Sequence, residues 1–157
     1  DDMAASWHRE IARAGGISFD RPVRMVVTTT DVHEHGKYLI EHAFRPLGIE
    51  LIDGRVASDP EQLVEIAINR NADVIAVSTY NGVALSYCRS LKDLLSEKGI
   101  DLPVLVGGRL NQIPEDSNTS LPVDVVRELS ELGVIPCTNL NDAMPVLMKL
   151  ASQQSSN

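Results

Sequence analysis

Short apolar segments alternate with amphipathic helical patterns along nearly the whole chain, and this alternation limits the possible folds more than any other feature of the sequence. The apolar segments are only a few residues long and rich in Val and Ile, which is typical of strands buried on both faces. Because parallel strands need a crossover connection, strands that alternate with helices favour a parallel sheet covered on both sides. We therefore predict an α/β fold, a flavodoxin-like (Rossmann-like) doubly wound sheet of five parallel strands with right-handed crossovers.

The elements behind this prediction follow from apolar periodicity and from the positions of glycine, proline and helix caps. The predicted strands cover residues 23–30, 50–53, 73–78, 103–106 and 134–135. The predicted helices cover residues 3–14, 37–47, 60–71, 84–98, 123–132 and 141–152, and a polar loop is expected over residues 109–122. We expect an N-terminal arm over residues 1–22, one ligand-binding domain over residues 23–152 and a frayed tail over residues 153–157.

Composition narrows the possible partners and settings. A chain of 157 residues is one domain by length, and its net charge of −8 without a basic cluster excludes a nucleic-acid partner. No segment resembles a secretory signal or a membrane span, so no membrane partner is expected. Cys88 and Cys137 are too few for a disulfide framework, which favours a cytoplasmic, reducing setting. The start Asp1-Asp2-Met3 is expected of a processed chain or of a piece of a longer protein.

Three unusual segments follow predicted strands directly. They are Asp31-Val32-His33-Glu34-His35-Gly36, Ser78-Thr79-Tyr80-Asn81-Gly82 and Gly107-Gly108. In doubly wound sheets, ligands bind at the carboxyl ends of the strands. The sequence therefore predicts a site at that edge of the sheet.

The first of these segments has the pattern of a metal-ligating histidine. Asp31 can accept a hydrogen bond from one ring nitrogen of His33, which leaves the other nitrogen for a metal, and Gly36 permits close approach of a large group. If each residue is considered alone, the simpler interpretations are that His33 is a solvated loop residue and that Asp31 caps a helix. A zinc site would need three or four convergent ligands. A single histidine instead fits a metal whose other ligands come from a cofactor such as a haem or a corrin, and the c-type haem signature is absent.

The other two segments also allow two interpretations each. Ser78 is either a strand-end cap or a hydrogen-bond donor to a ligand, and no Gly-x-Ser-x-Gly elbow marks it as a nucleophile. Gly107-Gly108 is either a plain turn or a place where a ligand approaches the backbone. The chain has no phosphate-cradling P-loop and no Gly-x-Gly-x-x-Gly fingerprint.

Together, Asp31-x-His33-x-x-Gly36, Ser78 two residues before a large side chain, and Gly107-Gly108 resemble the cobalamin-binding domain of B12-dependent mutases and methyltransferases. The resemblance covers residues 24–150, and each motif has family-like order and spacing. It is strongest to the domain of methylmalonyl-CoA mutase and the small subunit of glutamate mutase. It implies that residues 23–152 form a cobalamin-binding domain.

The resemblance also implies roles for individual residues. In this family a histidine replaces the dimethylbenzimidazole as the lower cobalt ligand, a mode called base-off/His-on. Carried over, His33 would ligate cobalt, Asp31 would orient His33, and Gly36 would make room for the corrin. The nucleotide tail would enter between a strand and a helix, where Ser78 would hydrogen-bond the benzimidazole. The other residues implied to bind the cofactor are Tyr80, Gly82, Gly107, Gly108, Arg109 and Thr138.

Three departures from the family pattern indicate a divergent branch. Tyr80 stands where leucine is common, and Cys137 replaces the glycine of a late Pro-Gly-Thr segment. The loop that begins at Arg109 is longer than in most mutases.

The resemblance implies the B12-binding component of an adenosylcobalamin-dependent mutase, which is an isomerase (intramolecular transferase). Its substrate would bind to a partner, a TIM-barrel subunit or domain, and this chain would supply no catalytic residue beyond the axial pair Asp31 and His33.

A corrinoid protein that carries a methyl group as methylcobalamin is the alternative, although such proteins usually have several helices before the domain. A B12-sensing regulatory module would carry further helices or a DNA-binding domain. A flavin-binding domain would need a phosphate loop where Asp31 has the wrong charge.

Overall fold

The computed structural model describes residue 19 and residues 21–30, 35–56, 59–79, 82–112 and 123–155. The strands are β1 Arg24–Thr29, β2 Glu50–Val56, β3 Val74–Thr79, β4 Val104–Gly108, β5 Asn111–Gln112, β6 Val123–Asp124 and β7 Ile135–Pro136. The α-helices of this part of the chain are α1 His35–Phe44, α2 Pro60–Asn69, α3 Ala84–Glu97, α4 Val126–Leu132 and α5 Met144–Ser155. Two 3-10 turns, Arg45–Leu47 and Leu140–Asp142, follow α1 and precede α5.

Five of the strands form one parallel sheet in the order β2-β1-β3-β4-β7. This is the strand order of flavodoxin-like folds, and it confirms the predicted fold class. After β1 the chain adds β2 on one side, and it then adds β3, β4 and β7 on the other side. This change of side, between β1 and β3, is where such sheets open a crevice for ligands. The site predicted from the sequence lies at the carboxyl ends of these two strands and of β4.

The sheet is buried on both faces, because its central strands carry apolar side chains to both sides. Met25 and Val27 of β1 pack in a core with α1 and α5, whereas Val26 packs in a second core with α2, α3 and α4. All three side chains have no solvent exposure. Each central strand packs against a helix layer on both sides, which explains why the strand segments are continuously apolar in the sequence.

Ser58-Asp59 followed by Pro60 and Glu61 predicts a helix start, and α2 has its N-terminal cap there. Asp59 Oδ1 accepts a hydrogen bond from the backbone N–H of Gln62 at 2.8 Å, and Gln62 Oε1 accepts one from the backbone N–H of Asp59 at 3.3 Å. Pro60 occupies the first turn, where its missing N–H costs nothing. Such a capping box contributes about 1 kcal/mol to the stability of a helix.

The second strand is longer than predicted. We expected it to end at residue 53, but β2 continues to Val56 through an irregularity in its register with β1. Arg55 takes a positive φ of 68° at this point. The Thr28 hydroxyl lies 3.2 Å from the Gly54 carbonyl oxygen and 2.5 Å from that of Arg55, so β1 holds the irregular segment in the sheet.

The helix predicted over residues 123–132 begins later than expected. Val123–Asp124 instead form β6, which pairs antiparallel with β5 inside the segment predicted to be a loop. Asp124 Oδ1 accepts a hydrogen bond from the backbone N–H of Val126 at 3.0 Å, so the aspartate forms a turn that starts α4 at Val126. Residues 113–122 of the predicted loop and the helix predicted over residues 3–14 lie outside the described residues.

The end of the chain also differs in detail. The fifth predicted strand, residues 134–135, is found one residue later as β7. The predicted last helix is divided into a 3-10 turn and α5, and α5 continues to Ser155 rather than giving way to a frayed tail at residue 153. Gln154 Nε2 donates to the backbone carbonyl of Arg21 at 3.0 Å, which connects this last turn to the segment before β1.

An ion pair connects the first turn of α1 to β2. Lys37 Nζ lies 3.1 Å from Asp53 Oδ1 and 3.4 Å from Glu41 Oε2. Burial alone would lower the pKa of Lys37, but the hydrogen bond to Asp53 and the charges of Glu41 and Asp53 outweigh it and raise that pKa. Burial would raise the pKa of Asp53, but the Arg55 backbone N–H and Lys37 outweigh it and lower that pKa.

We expect Asp53→Asn to lower the free energy of unfolding at pH 7 by about 0.5 kcal/mol, since Asp53 is 69% exposed and solvent screens the pair. The folded-state pKa of Asp53 is lowered, so its stabilisation is present above the unfolded pKa and is lost as pH falls through the folded pKa. The wild type and the variant should therefore converge in urea denaturation at acidic pH. Asp93→Asn, which removes an exposed carboxylate from α3, is the control. A difference between the proteins that does not shrink at low pH would contradict the pair's role.

Gly54 in β2 lies too close to β1 to accept a side chain without a shift of its neighbours. An added Cβ would lie 2.8 Å from the Val27 carbonyl oxygen and 2.9 Å from Val26 Cγ1. We expect Gly54→Ala to lower the free energy of unfolding by about 1–3 kcal/mol, because the sheet must shift to accept the methyl group. Gly107→Ala is the matched control, since its Cβ would meet only the Cys137 carbonyl oxygen at 3.5 Å. Equal urea midpoints for the two variants would contradict this account.

Candidate functional site

An apolar cleft opens beneath the carboxyl ends of β3 and β4, on the face of the sheet covered by α1 and α5. Its empty volume is about 310 Å³, counting space that opens to solvent. The cleft is lined by residues of α1, β3, β4 and the segment that leads into α5: Ile40, Phe44, Ala76, Val77, Leu105, Val106, Gly107, Cys137, Asn139 and Ala143. The cleft adjoins β3, one of the two strands between which the strand order predicts a ligand crevice.

Ser78 and Gly107 lie side by side at the strand ends above this cleft. The register pairs Thr29 with Ser78 and Ser78 with Gly107, so all three point to the same face of the sheet. Gly107 lines the cleft, and its missing side chain leaves space there. The Ser78 side chain is almost fully buried. The structure thus brings together two residues that were predicted separately from the sequence.

The next residues along these strands belong to the opposite face. The Thr79 hydroxyl lies 2.8 Å from the Arg109 carbonyl oxygen and 3.3 Å from that of Gly107. The Arg109 backbone N–H donates to the Thr79 carbonyl at 2.6 Å, and Gly108 takes a φ of 90° that favours glycine. Gly108 and Arg109 therefore form a turn at the edge of the sheet, both exposed and outside the cleft lining.

The remaining predicted residues lie in the first turn of α1, in loops, or outside the described part of the chain. Gly36 is buried in the first turn of α1, and Gly82 is buried with a φ of 75° just before α3. Thr138 is exposed, and its hydroxyl and backbone N–H lie 3.1 Å and 2.8 Å from Asp142 Oδ2. The predicted residues outside the described ranges are Asp31, His33 and Tyr80.

Cys137 contributes to the wall of the cleft but has no reactive thiolate. Burial, together with the charge of Asp142, raises the pKa of this thiol to about 12. Its Sγ donates to the carbonyl of Ile135 at 3.4 Å, and its backbone N–H donates to the carbonyl of Val106 at 2.7 Å. The thiol therefore stays protonated and acts as a small apolar side chain.

Sequence reasoning missed the lining residues that come from helices and from the last loop. Ile40 and Phe44 are one helical turn apart on α1, which predicts an inward face but cannot separate core from cleft. Asn139 has the signal of an ordinary turn residue. Its Oδ1 is nevertheless buried, and no group in the described part of the chain makes a hydrogen bond with it.

Residues 21–132 match the B12 binding domain family, which is well over half of the chain. The chain belongs to this B12-binding family. This result confirms the family predicted from Asp31-x-His33-x-x-Gly36, Ser78 and Gly107-Gly108.

Among curated proteins, the chain is similar to small subunits of mutases. It is 31% identical over 111 residues to the 2-hydroxyisobutanoyl-CoA mutase small subunit of Aquincola tertiaricarbonis, covering 69% of this chain and 79% of that subunit. It is 29% identical over 90 residues to the glutamate mutase sigma subunit 2 of Haloarcula marismortui, covering 57% of this chain and 61% of that subunit. The chain thus spans less than two thirds of the sigma subunit.

Among solved structures, the fold is similar to part of the methanol:cobalamin methyltransferase complex MtaBC from Methanosarcina barkeri. The TM-score is 0.65 at 16% identity, and the match covers 92% of this chain and 52% of that chain. At this identity the likeness shows the fold alone, and it agrees with the flavodoxin-like sheet described above.

The cleft fits the nucleotide tail of a cobalamin. Its walls are almost entirely apolar, as a flat heteroaromatic base requires, and the Gly107 position leaves its floor open. Buried polar atoms nearly always have hydrogen-bond partners, and leaving one unpaired costs about 1–3 kcal/mol. Asn139 Oδ1 is a buried polar atom of a residue that lines this cleft, and it lacks such a partner among the described residues. A ligand with an apolar face and a hydrogen-bond donor at its edge would satisfy it.

Ser78 and Thr79 provide a test of this interpretation without any cofactor. We expect Ser78→Ala to change the free energy of unfolding by less than about 0.5 kcal/mol, because on this interpretation the hydroxyl is reserved for a ligand that is absent. Thr79→Val should lower it by about 1–2 kcal/mol, because its hydroxyl contacts the Gly107 and Arg109 carbonyls. Chemical denaturation of the cofactor-free proteins measures both values. A loss for Ser78→Ala as large as that for Thr79→Val would mean that the Ser78 hydroxyl has a structural role.

Proposed function

We propose that this chain is the cobalamin-binding component of an adenosylcobalamin-dependent mutase and binds the cofactor in the base-off/His-on mode. The observation that carries the proposal is the apolar cleft beneath Ser78 and Gly107, which suits the nucleotide tail once the tail no longer ligates cobalt. The family match and the mutase names of the relatives support the predicted class. The methyl-carrier alternative has only a structural likeness in its favour.

The axial ligand in this proposal is His33, which lies two residues before the start of α1. A neutral imidazole presents one nitrogen to cobalt and one N–H to a second partner, and Asp31 would accept that N–H and hold the tautomer. Gly36, buried at the start of α1, would let the corrin approach the backbone. When bound, the cofactor supplies radical isomerisation chemistry through its weak cobalt–carbon bond.

The protein's own contribution is to bind and orient the cofactor. Ser78 would donate its hydroxyl hydrogen to the tail base, and Gly107 would leave room for that base. The loops at the same edge of the sheet would enclose the cofactor from above, and we keep their residues in the proposed site: Tyr80, Gly82, Gly108, Arg109 and Thr138. No residue of this chain is proposed to contact the substrate.

A larger partner would supply the substrate site, as the small-subunit and sigma-subunit names of the relatives suggest. We propose that this partner is a TIM-barrel subunit or domain that covers the upper face of the corrin. The adenosyl form of the cofactor belongs to the same proposal, because the relatives are mutases rather than methyl carriers.

The predicted cytoplasmic setting, based on cysteine usage, remains part of the proposal. None of the helices in the described ranges has both the length and the apolar character that crossing a bilayer requires.

The proposal is tested by absorbance titration of the purified chain with adenosylcobalamin and methylcobalamin. We expect the wild type to give a base-off/His-on spectrum and His33→Ala to lose it, because no imidazole then reaches cobalt. His42→Ala is the matched control, since His42 is an exposed histidine of α1 whose ring contacts Tyr38 at a centroid distance of 4.2 Å. A His-on spectrum that survives in His33→Ala would exclude His33 as the ligand.

A further inference from the structure

Asn139 combines two properties that a turn residue does not need. It lines the apolar cleft, and its side-chain oxygen Oδ1 is buried without a hydrogen-bond partner among the described residues. The surrounding lining residues on α1 and the strands, such as Ile40, Phe44 and Leu105, have no polar side-chain atom to offer. Since burial of an unpaired amide oxygen is unfavourable, a bound donor is the simplest reason for this arrangement.

The backbone of Asn139 is held in place by its own loop. Its N–H lies 3.4 Å from Asp142 Oδ2, the same oxygen that accepts from Thr138, and its carbonyl accepts the Asp142 backbone N–H at 3.3 Å. The turn therefore places the amide before any ligand arrives. A placed amide recognises a partner with less loss of entropy than a free one.

We propose that Asn139 selects the heterocyclic base at the end of the cofactor's tail, favouring adenine over 5,6-dimethylbenzimidazole; this inference depends on the proposed function. An asparagine amide offers an acceptor and a donor side by side, which pair with the exocyclic amine and the neighbouring ring nitrogen of adenine. The outer edge of dimethylbenzimidazole carries two methyl groups. Those methyl groups cannot donate a hydrogen bond, so Oδ1 stays unpaired beside them.

The test compares two adenosyl cobamides that differ only in the tail base, adenine or dimethylbenzimidazole. Their dissociation constants are measured by absorbance for the wild type, for Asn139→Leu and for Asn141→Leu. We expect the wild type to bind the adenine form about tenfold more tightly and Asn139→Leu to lose that preference. Asn141→Leu should keep it, because Asn141 is exposed in the same loop and is not part of the cleft lining.

The outcomes separate the inference from the function that it depends on. An equal preference in the wild type and Asn139→Leu would overturn the selectivity. Equal weakening of both cobamides would also overturn it, because the amide would then contact the sugar or phosphate that they share. Cobinamide, which lacks the tail base, gives the baseline and should bind the wild type and Asn139→Leu alike. If the wild type bound neither cobamide, the proposed function itself would fall.

Discussion

The parallel register of β1, β3 and β4 is the constraint on which the rest of the structure depends. It brings Thr29, Ser78 and Gly107 into one row at the carboxyl ends of three strands. Because side chains alternate along a strand, a slip of one residue would turn this row to the opposite face of the sheet. The register is held by apolar residues buried on both faces, so packing far below the edge decides which groups meet at the site.

The cleft exists because small and large residues face one another across it. Ala76, Gly107 and Ala143 leave space, and Ile40 and Phe44 wall it with apolar surface. A buried amide oxygen such as Asn139 Oδ1, which has no partner among the described residues, would be a poor choice if stability alone decided the sequence. Residues that lower the stability of the fold are expected where a protein binds its ligand.

Much of the fold could be predicted because local signals agree with the global pattern. The cap at Asp59 and the alternation of strands and helices could be predicted without knowledge of contacts between residues distant in the sequence. The extension of β2 could not be predicted, because Gly54 and Arg55 look like a turn until the Thr28 hydroxyl is known to contact their carbonyls. β6 was missed for a similar reason, since residues 113–122 separate it from its partner strand in the sequence.

The candidate site also contains residues that could be predicted from the sequence and residues that could not. Ser78 and Gly107 could be predicted because a strand end is visible in the sequence and parallel strand ends share an edge. Asn139 could not, because its burial depends on how the loop before α5 packs under α1. A sequence shows which residues are polar, but a missing hydrogen bond becomes visible only when every neighbour has been placed.

The two outer strands of the sheet bear on how this protein associates with other chains. An unpaired strand edge can template pairing with another molecule, and short strands, proline, charges and bulges prevent it. β2 carries an irregular segment at Arg55 and an exposed carboxylate at Asp53, while β7 is two residues long and ends in Pro136. Sheet extension is therefore disfavoured on both sides, so neither outer strand offers other copies of the chain a template for strand-to-strand polymerisation at high concentration.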